Sequence, residues 1–398
     1  MKLVRNPAFE RAARYGDIQR HAFDPEEASR ARDELSRWPV YAETPLLQLP
    51  GLAAEAGIES LYVKDEGCRY PLKSFKALGG AYALGEALRD RIEGKIGVRP
   101  DYPELFAGAF KEENTGFRAV AVTDGNHGRS LAWGAQLFGV ECGIYLPVHV
   151  SPEREEAIAR YGAEITRIDD TYDATIERLR RDAAKNGWTM IQDVSTEDDW
   201  LAHKRIMHGY SLMAEEIERG LAGTRPTHML LQVGCGGLAG MLLAYFWTRF
   251  GQDRPITILV EPSNTASTLA SFEAGYRTSV GGNLETLMVG MAVGETSLLP
   301  WYLFEKGAEF ALALGDECVP DVMRRTARGV AGDPPMVVGE TGAAGLAALL
   351  ELARSPALAA EVGLGSRSRV LVINTEGDTD PTLYAEIVGR SPENSHHR

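Results

Sequence analysis

The 398-residue chain is 44% hydrophobic and 25% charged, enough to bury a large core and divide into two lobes, which excludes disorder as its general state. Its 42 basic and 56 acidic residues give a net charge of −14, which argues against nucleic acid or an anionic membrane as the main partner and favours a small molecule. Met1 to Asn6 leads into charged sequence without an apolar signal core, and no stretch approaches the roughly 20 apolar residues of a membrane span, so a cytoplasmic protein is expected.

In chain order the pattern predicts a strand at 61–63 and a helix at 75–89, then a strand at 119–123, a helix at 128–138, a strand at 143–146, a helix at 151–161 and a strand at 163–168. A strand-like run at 189–192 leads to a helix at 201–219, a strand at 228–233, a helix at 237–250, a strand at 257–261, helices at 316–330 and 342–352, and a last strand at 370–375. Stretches 94–104 and 275–282 read as loops and the tail from Ser391 as frayed, with no internal repeat. This alternation implies an α/β fold with mostly parallel sheets. Cys68, Cys142, Cys235 and Cys318 are too scattered for a CxxC pair or a disulfide framework, so reduced thiols are expected. His203 and His208 are spaced so that a helix does not put them on one face, and no metal site is expected.

Three segments carry chemistry. Ser74-Phe75-Lys76 enters a small-residue stretch, with Ser74 a candidate N-cap and Lys76 in the first helical turn. Lysine is the ordinary side-chain amine that can hold an aldehyde cofactor covalently. A helix N-terminus disfavours a cation, so this position predicts a Lys76 pKa pushed down; the plain alternative is a solvated surface lysine. Thr123-Asp124-Gly125-Asn126-His127-Gly128 reads as a strand-to-helix turn at the carboxyl edge of a sheet, where glycines let backbone amides approach a ligand, although Asp124 or Asn126 could simply cap the helix. Gly234-Cys235-Gly236-Gly237-Leu238-Ala239-Gly240 also joins strand to helix and can point consecutive N–H groups at a phosphate. The same loop fits a dinucleotide fingerprint with Glu261 closing the next strand, the basis of a competing NAD-dependent oxidoreductase reading, but that reading leaves Lys76 and the Asn126 turn without a role.

Taken in order, Ser-Phe-Lys, Gly-Asn-His-Gly and the glycine loop resemble the fold-type-II pyridoxal-phosphate (PLP) enzymes, the tryptophan-synthase-β and threonine-dehydratase group, over most of the chain. Asp124 before its glycine, Gln192-Asp193 and the segment from Asn374 to Asp380 are similar to the 2,3-diaminopropionate ammonia-lyases within that group. The resemblance implies two three-layer α/β lobes with mostly parallel sheets, residues 1–78 and 193–398 forming a large PLP-binding domain and 79–192 a small one, in a homodimer. It implies that Lys76 carries the cofactor and acts as base, with Asp124 a second base on the opposite face for the other enantiomer. Asn126 would lie beside the phenolic oxygen, Gly234, Cys235, Gly236, Gly237 and Leu238 at the phosphate, and Thr375 at the pyridine nitrogen, with Glu376, Asp378 and Glu340 open as alternatives there. His127 reads as a packed structural histidine.

Asp193, after the strand-like run, is either a strand-end turn residue or a carboxylate facing the substrate. Two carboxylates facing a substrate with two amines are complementary in charge and would reject a hydroxyl analogue. The implied reaction is the α,β-elimination of 2,3-diaminopropionate to pyruvate and two ammonia molecules. Ser74 before Phe75 looks more like the dehydratase and threonine-synthase members, and Cys235 replaces an aliphatic residue. Elimination from another β-substituted amino acid, such as serine or threonine, therefore stays open. A non-catalytic PLP-binding amino-acid sensor is the alternative from a different class.

Overall fold

The computed structural model describes residues 1–389 apart from 124, 149 and 171, and of 172 and 173 the backbone alone. The tail expected to fray lies outside these residues. Strands along the described chain are β1 (Lys2–Arg5), β2 (Leu46–Gln48), β3 (Ser60–Asp65), β4 (Arg118–Val122), β5 (Glu141–Pro147), β6 (Glu164–Ile168), β7 (Thr189–Met190), β8 (His228–Gln232), β9 (Ile256–Pro262), β10 (Phe310–Leu314) and β11 (Arg369–Asn374). Seven of them form one sheet in the order β1-β10-β9-β8-β11-β3-β2, and four form another in the order β6-β5-β4-β7.

All neighbours in the smaller sheet are parallel. The larger sheet is parallel through its centre and antiparallel only at its edge strands β1 and β2. Sequence explains this: β8 and β10 are buried at every position, and β11 at all but the first, as strands covered on both faces must be. The expectation of an α/β fold with mostly parallel sheets holds. Because β3, β11 and β8 are parallel neighbours, the loops after Asp65, Asn374 and Gln232 leave the same carboxyl edge side by side.

The helix Leu201–Leu221 packs beside that edge. It buries Ile206, Tyr210, Met213, Ile217 and Leu221 at three- and four-residue spacing, one continuous stripe. Two glycines let the segment around Lys76 lie against it: a Cβ on Gly79 would come within 2.4 Å of the Tyr210 ring, and one on Gly209 within 2.3 Å of the Leu78 carbonyl oxygen. Among the described residues no helix is long and apolar enough to cross a membrane.

Several elements differ from expectation. The helix expected at 75–89 is split into a 3-10 turn, Phe75–Leu78, and an α-helix, Gly80–Ile96. That helix runs into the expected loop at 94–104, and a second one, Tyr102–Phe106, closes it behind an Asp101–Glu104 capping box. β10 was not visible in the pattern because Ala311 and Ala313 carry little strand preference and its signal comes from burial. β7 stops at Met190, after which the Gln192 side chain, not its backbone, accepts the Val122 N–H at 3.2 Å.

A closed group of charges lies beneath the segment leading to Lys76. Lys64 Nζ meets Glu216 at 2.5 Å, and Arg69 meets Glu66 and Glu216 at 2.7 Å each. All four side chains are within 3% of full burial, and Thr44 completes the group by donating to Glu66 at 2.6 Å. Removing one member strands buried charge, so Glu216→Ala should cost about 3–5 kcal/mol in urea unfolding at neutral pH. The cations hold the Glu216 carboxyl below its ordinary range against the opposing effect of burial. Its contribution is therefore present at neutral pH and lost as pH falls through the folded value, and the deficit of the variant should shrink on acidification. A deficit independent of pH would contradict this assignment.

Candidate active site

The residues singled out by chemistry converge on one cleft of about 840 Å³ between the two sheets. Lys76, Asn126, Asp193, Gly234, Cys235, Gly236, Gly237, Leu238 and Thr375 all line it. Asp124 lies outside the described residues.

Lys76 is held by its backbone. Ser74 caps the 3-10 turn by accepting the Lys76 N–H at 3.4 Å, and Ser130 Oγ donates to the Lys76 carbonyl at 2.6 Å. Phe75 N–H donates to the Thr375 carbonyl at 3.2 Å, Gly377 N–H to the Lys73 carbonyl at 2.9 Å, and Ser74 bridges Glu376 in antiparallel fashion. Lys73 itself adopts a left-handed backbone, φ 53°, a conformation that costs a side-chain-bearing residue about 1–2 kcal/mol. Its ammonium grips both carboxylate oxygens of Asp378, at 2.8 and 2.9 Å.

The Lys76 ammonium forms an ion pair with Asp193, and the rings of Phe75 and Tyr210 lie 5.3 and 5.9 Å from its nitrogen. Burial alone would lower this pKa, but the Asp193 charge overrides it and raises the pKa of the free amine above its ordinary value. The downward shift expected from a helix dipole is thus reversed: one 3-10 turn has little dipole, and a carboxylate in contact outweighs it. Burial would likewise raise the Asp193 carboxyl, yet the charges of His127 and Lys76 hold it well below the usual carboxylate range. Of those two, Lys76 is the one charged at neutral pH, because burial lowers the His127 pKa. His127 Nε2 donates to the Ile191 carbonyl at 2.7 Å, which leaves Nδ1 a bare lone pair 4.0 Å from Asp193 and without a hydrogen-bond partner.

Asn126 does not cap the helix Asn126–Phe138. Thr123 Oγ1 does it, accepting from Gly125 N–H at 3.0 Å and Gly128 N–H at 3.2 Å. Asn126 is thereby free to reach across the cleft, where its amide donates to the Glu376 carboxylate.

In the glycine loop the sharpest requirement is at Gly236, whose φ is +94°; a Cβ there would meet Pro300 at 2.8 Å. A Cβ on Gly237 would meet His203 Nε2 at 2.7 Å. The loop amides open the helix Gly237–Phe250, an anion-binding geometry. Glu261, the ribose partner required by a dinucleotide, is fully buried and accepts the N–H groups of Thr268 and Leu269 at 2.8 and 2.9 Å. It caps the helix Ser267–Ala274 and cannot reach a ligand, so the NAD reading loses its acidic residue.

Thr375 is 2% exposed and its hydroxyl has no hydrogen-bond partner. A buried orphan facing a cleft calls for a ligand atom. The competing carboxylates are occupied. Asp378 holds Lys73, Glu376 accepts from Asn126 and from Thr341 N–H at 3.2 Å, and Glu340 pairs with Arg154 at 3.0 Å. Burial first, and then the nearby Glu376 charge, push the Glu340 carboxyl up to about 8.

Sequence reasoning did not find Tyr210, His203, Ser195 or Arg154, which also line the cleft. His203 and Tyr210 belong to the apolar stripe of the helix Leu201–Leu221, so their pattern signals packing. His203 Nδ1 and Ser195 Oγ share a hydrogen bond of 3.0 Å, and burial pushes His203 down to about 3.

A family profile described as pyridoxal-phosphate dependent enzyme matches residues 38–376. The chain is similar to a diaminopropionate ammonia-lyase from Salmonella typhimurium, 36% identical over 368 residues that cover 89% of this chain and 90% of that protein. The Escherichia coli K12 enzyme of the same name is 34% identical over 371 residues, 92% of each chain. The solved structure of selenomethionine-incorporated holo diaminopropionate ammonia lyase from Escherichia coli superposes with a TM-score of 0.87 at 31% identity, covering 97% of this chain and 96% of that one.

If Asp193 holds the charge on Lys76, Asp193→Asn in the cofactor-free protein lowers the Lys76 pKa. The amine should then be acylated faster than in the parent at a given alkaline pH, read by mass spectrometry of the Lys76 peptide. Equal rates would show that the pair does not govern the amine.

Proposed function

The chain belongs to the pyridoxal-phosphate dependent enzymes of fold type II, and we propose that it is a lyase that converts 2,3-diaminopropionate and water to pyruvate and two ammonia molecules. The observation that carries the choice of substrate is the ionised Asp193 against Lys76 inside the cleft.

The residues present suit the cofactor. A lysine amine, an orphaned hydroxyl at Thr375 and a loop of amides where side chains do not fit stand around one cleft of suitable size. In this reading Lys76 carries the aldehyde carbon, Gly234, Cys235, Gly236, Gly237 and Leu238 hold the phosphate, and Thr375 meets the pyridine nitrogen. Asn126 serves the phenolic oxygen, which requires its amide to exchange Glu376 for that atom. When bound, PLP supplies an electron-withdrawing ring that stabilises negative charge at the substrate α-carbon.

The protein's own groups manage protons. The Lys76 amine would take the α-proton, and the adjacent Asp193 charge favours the ammonium so formed. The β-amine of diaminopropionate is an ammonium at neutral pH and departs as ammonia without a proton donor, whereas a hydroxyl must be protonated to leave. Asp193, held ionised, cannot donate that proton but can attract the ammonium. The site therefore favours an amine leaving group over the hydroxyl of serine or threonine. Asp124 keeps the role of second base, for the other enantiomer, on its sequence position alone.

The same reading takes residues 1–78 with 193–398 as the larger unit and 79–192 as the smaller, a division supported by the sheet membership of their strands. A cytoplasmic homodimer completes it.

Purified protein should show a visible absorbance band abolished by borohydride, with the mass of the reduced cofactor on the Lys76 peptide. It should release keto acid from D- or L-diaminopropionate faster than from serine, threonine or β-chloroalanine. Lys76→Ala should lower kcat by about 100- to 10,000-fold. Faster turnover of serine or threonine would make the protein a dehydratase, and bound cofactor without keto acid from any of these would make it a sensor.

A further inference from the structure

β3 and β11 are parallel neighbours ending at Asp65 and Asn374, so the chains that leave them start in the same direction. The segment after Asp65 must nevertheless turn back, because by Ser74 it runs antiparallel to Glu376. The reversal finishes at Lys73, in the left-handed conformation that glycine or asparagine would enter more easily. Three contacts hold that strained residue: its N–H donates to the Arg69 carbonyl at 2.7 Å, its carbonyl accepts the Gly377 N–H at 2.9 Å, and its ammonium grips Asp378. The lysine side chain is 53% exposed and that of Asp378 only 7%, so the acid is fixed and the base comes to it.

A pair so exposed on one side adds little to global stability. Its geometric effect is larger. Gly377 N–H to Lys73 and Phe75 N–H to Thr375 are the two rungs that tie the Lys76 segment to the one bearing Thr375. A slip of one residue would move Lys76 by about 3.3 Å and reverse the facing of the side chains between the rungs. From these contacts we infer that Lys73 and Asp378 are positioning residues: their ion pair pins the register between the two segments and so sets the place of the Lys76 amine relative to the Thr375 hydroxyl. The inference rests on the reading of Lys76 and Thr375 as the two ends of the cofactor site. Neither Lys73 nor Asp378 lines the cleft, so any effect on turnover passes through the residues they hold.

The test uses the holoenzyme with Lys73→Met, Asp378→Asn, Lys73→Arg and Lys73→Gly. Lys73→Met and Asp378→Asn should speed hydrogen exchange at the Phe75 and Gly377 amides, shift the absorbance of the bound cofactor and lower kcat roughly tenfold, with KM within about twofold of the parent. Lys73→Arg, which keeps the charge, should restore most of kcat. Lys73→Gly relieves the backbone but removes the ammonium, and should resemble Lys73→Met. The inference is overturned if Lys73→Met and Asp378→Asn lower only the melting temperature, or if Lys73→Gly behaves as the parent. A parent protein without covalent cofactor would refute the proposed function instead, and exchange at the two amides would still report whether the pair pins the register.

Discussion

Parallel pairing of β3, β11 and β8 is the constraint from which the rest of the cleft follows. Three parallel neighbours deliver their carboxyl ends to one edge, and each end leads into a different requirement of the site: an amine, an unpaired hydroxyl and a cradle of amides. No long-range coincidence is needed to assemble them. The smaller sheet adds the Asn126 turn by the same rule, since β4 ends at Val122 just before Thr123 caps the next helix. What the sheets cannot supply is the return of the Lys76 segment toward β11, and that depends on local devices: a strained Lys73, close glycines at Gly79 and Gly209, and the buried ionic group that includes Arg69.

Charge inside the cleft is arranged by opposite treatment of similar groups. Asp193 and Glu340 are both buried carboxyls lining or bordering the same space, yet one is driven down and the other up. Burial raises both: at Asp193 an ammonium in contact outweighs it, whereas at Glu340 the Glu376 carboxylate adds to it and Arg154 offsets only part. Burial amplifies whichever partner is present. Pairs of acids pushed apart in this way are the usual means of dividing proton tasks at one pH. Here they leave the Lys76 side of the cleft charged at neutral pH and allow the Glu340 side to hold a proton.

How much of this was legible in the chain depends on whether a feature is local. The Ser-Phe-Lys segment, the Asn126 turn and the glycine loop were readable because glycines and caps mark loops directly, and their strand-to-helix setting followed from periodicity. The sign of the Lys76 pKa was not, because Asp193 lies far along the chain and meets it only through the fold. Tyr210 and His203 were invisible for a related reason: on an apolar stripe a functional side chain and a packing one look alike. β10 went unseen because alanines in a buried strand carry no alternation. The competing dinucleotide pattern shows the converse failure, a local match whose distant member, Glu261, the fold uses to cap a helix.

Two polar contacts cross the cleft: Arg154 to Glu340 at 3.0 Å, and the Asn126 amide to Glu376. Each joins a residue positioned by the smaller sheet to one positioned by the larger. They converge on two carboxyls that repel one another when both are ionised, and the raised Glu340 pKa reflects burial first and that repulsion second. A carboxyl raised on folding binds its proton more tightly in the folded state, so stability falls as pH rises through about 8 and Glu340 ionises beside Glu376. Arg154 offsets part of that penalty only while the two sheets stay close enough for it to reach Glu340. The contact that offsets this penalty also ties a residue of the smaller sheet's side to one of the larger's, and because the guanidinium favours the ionised acid it strengthens as Glu340 loses its proton.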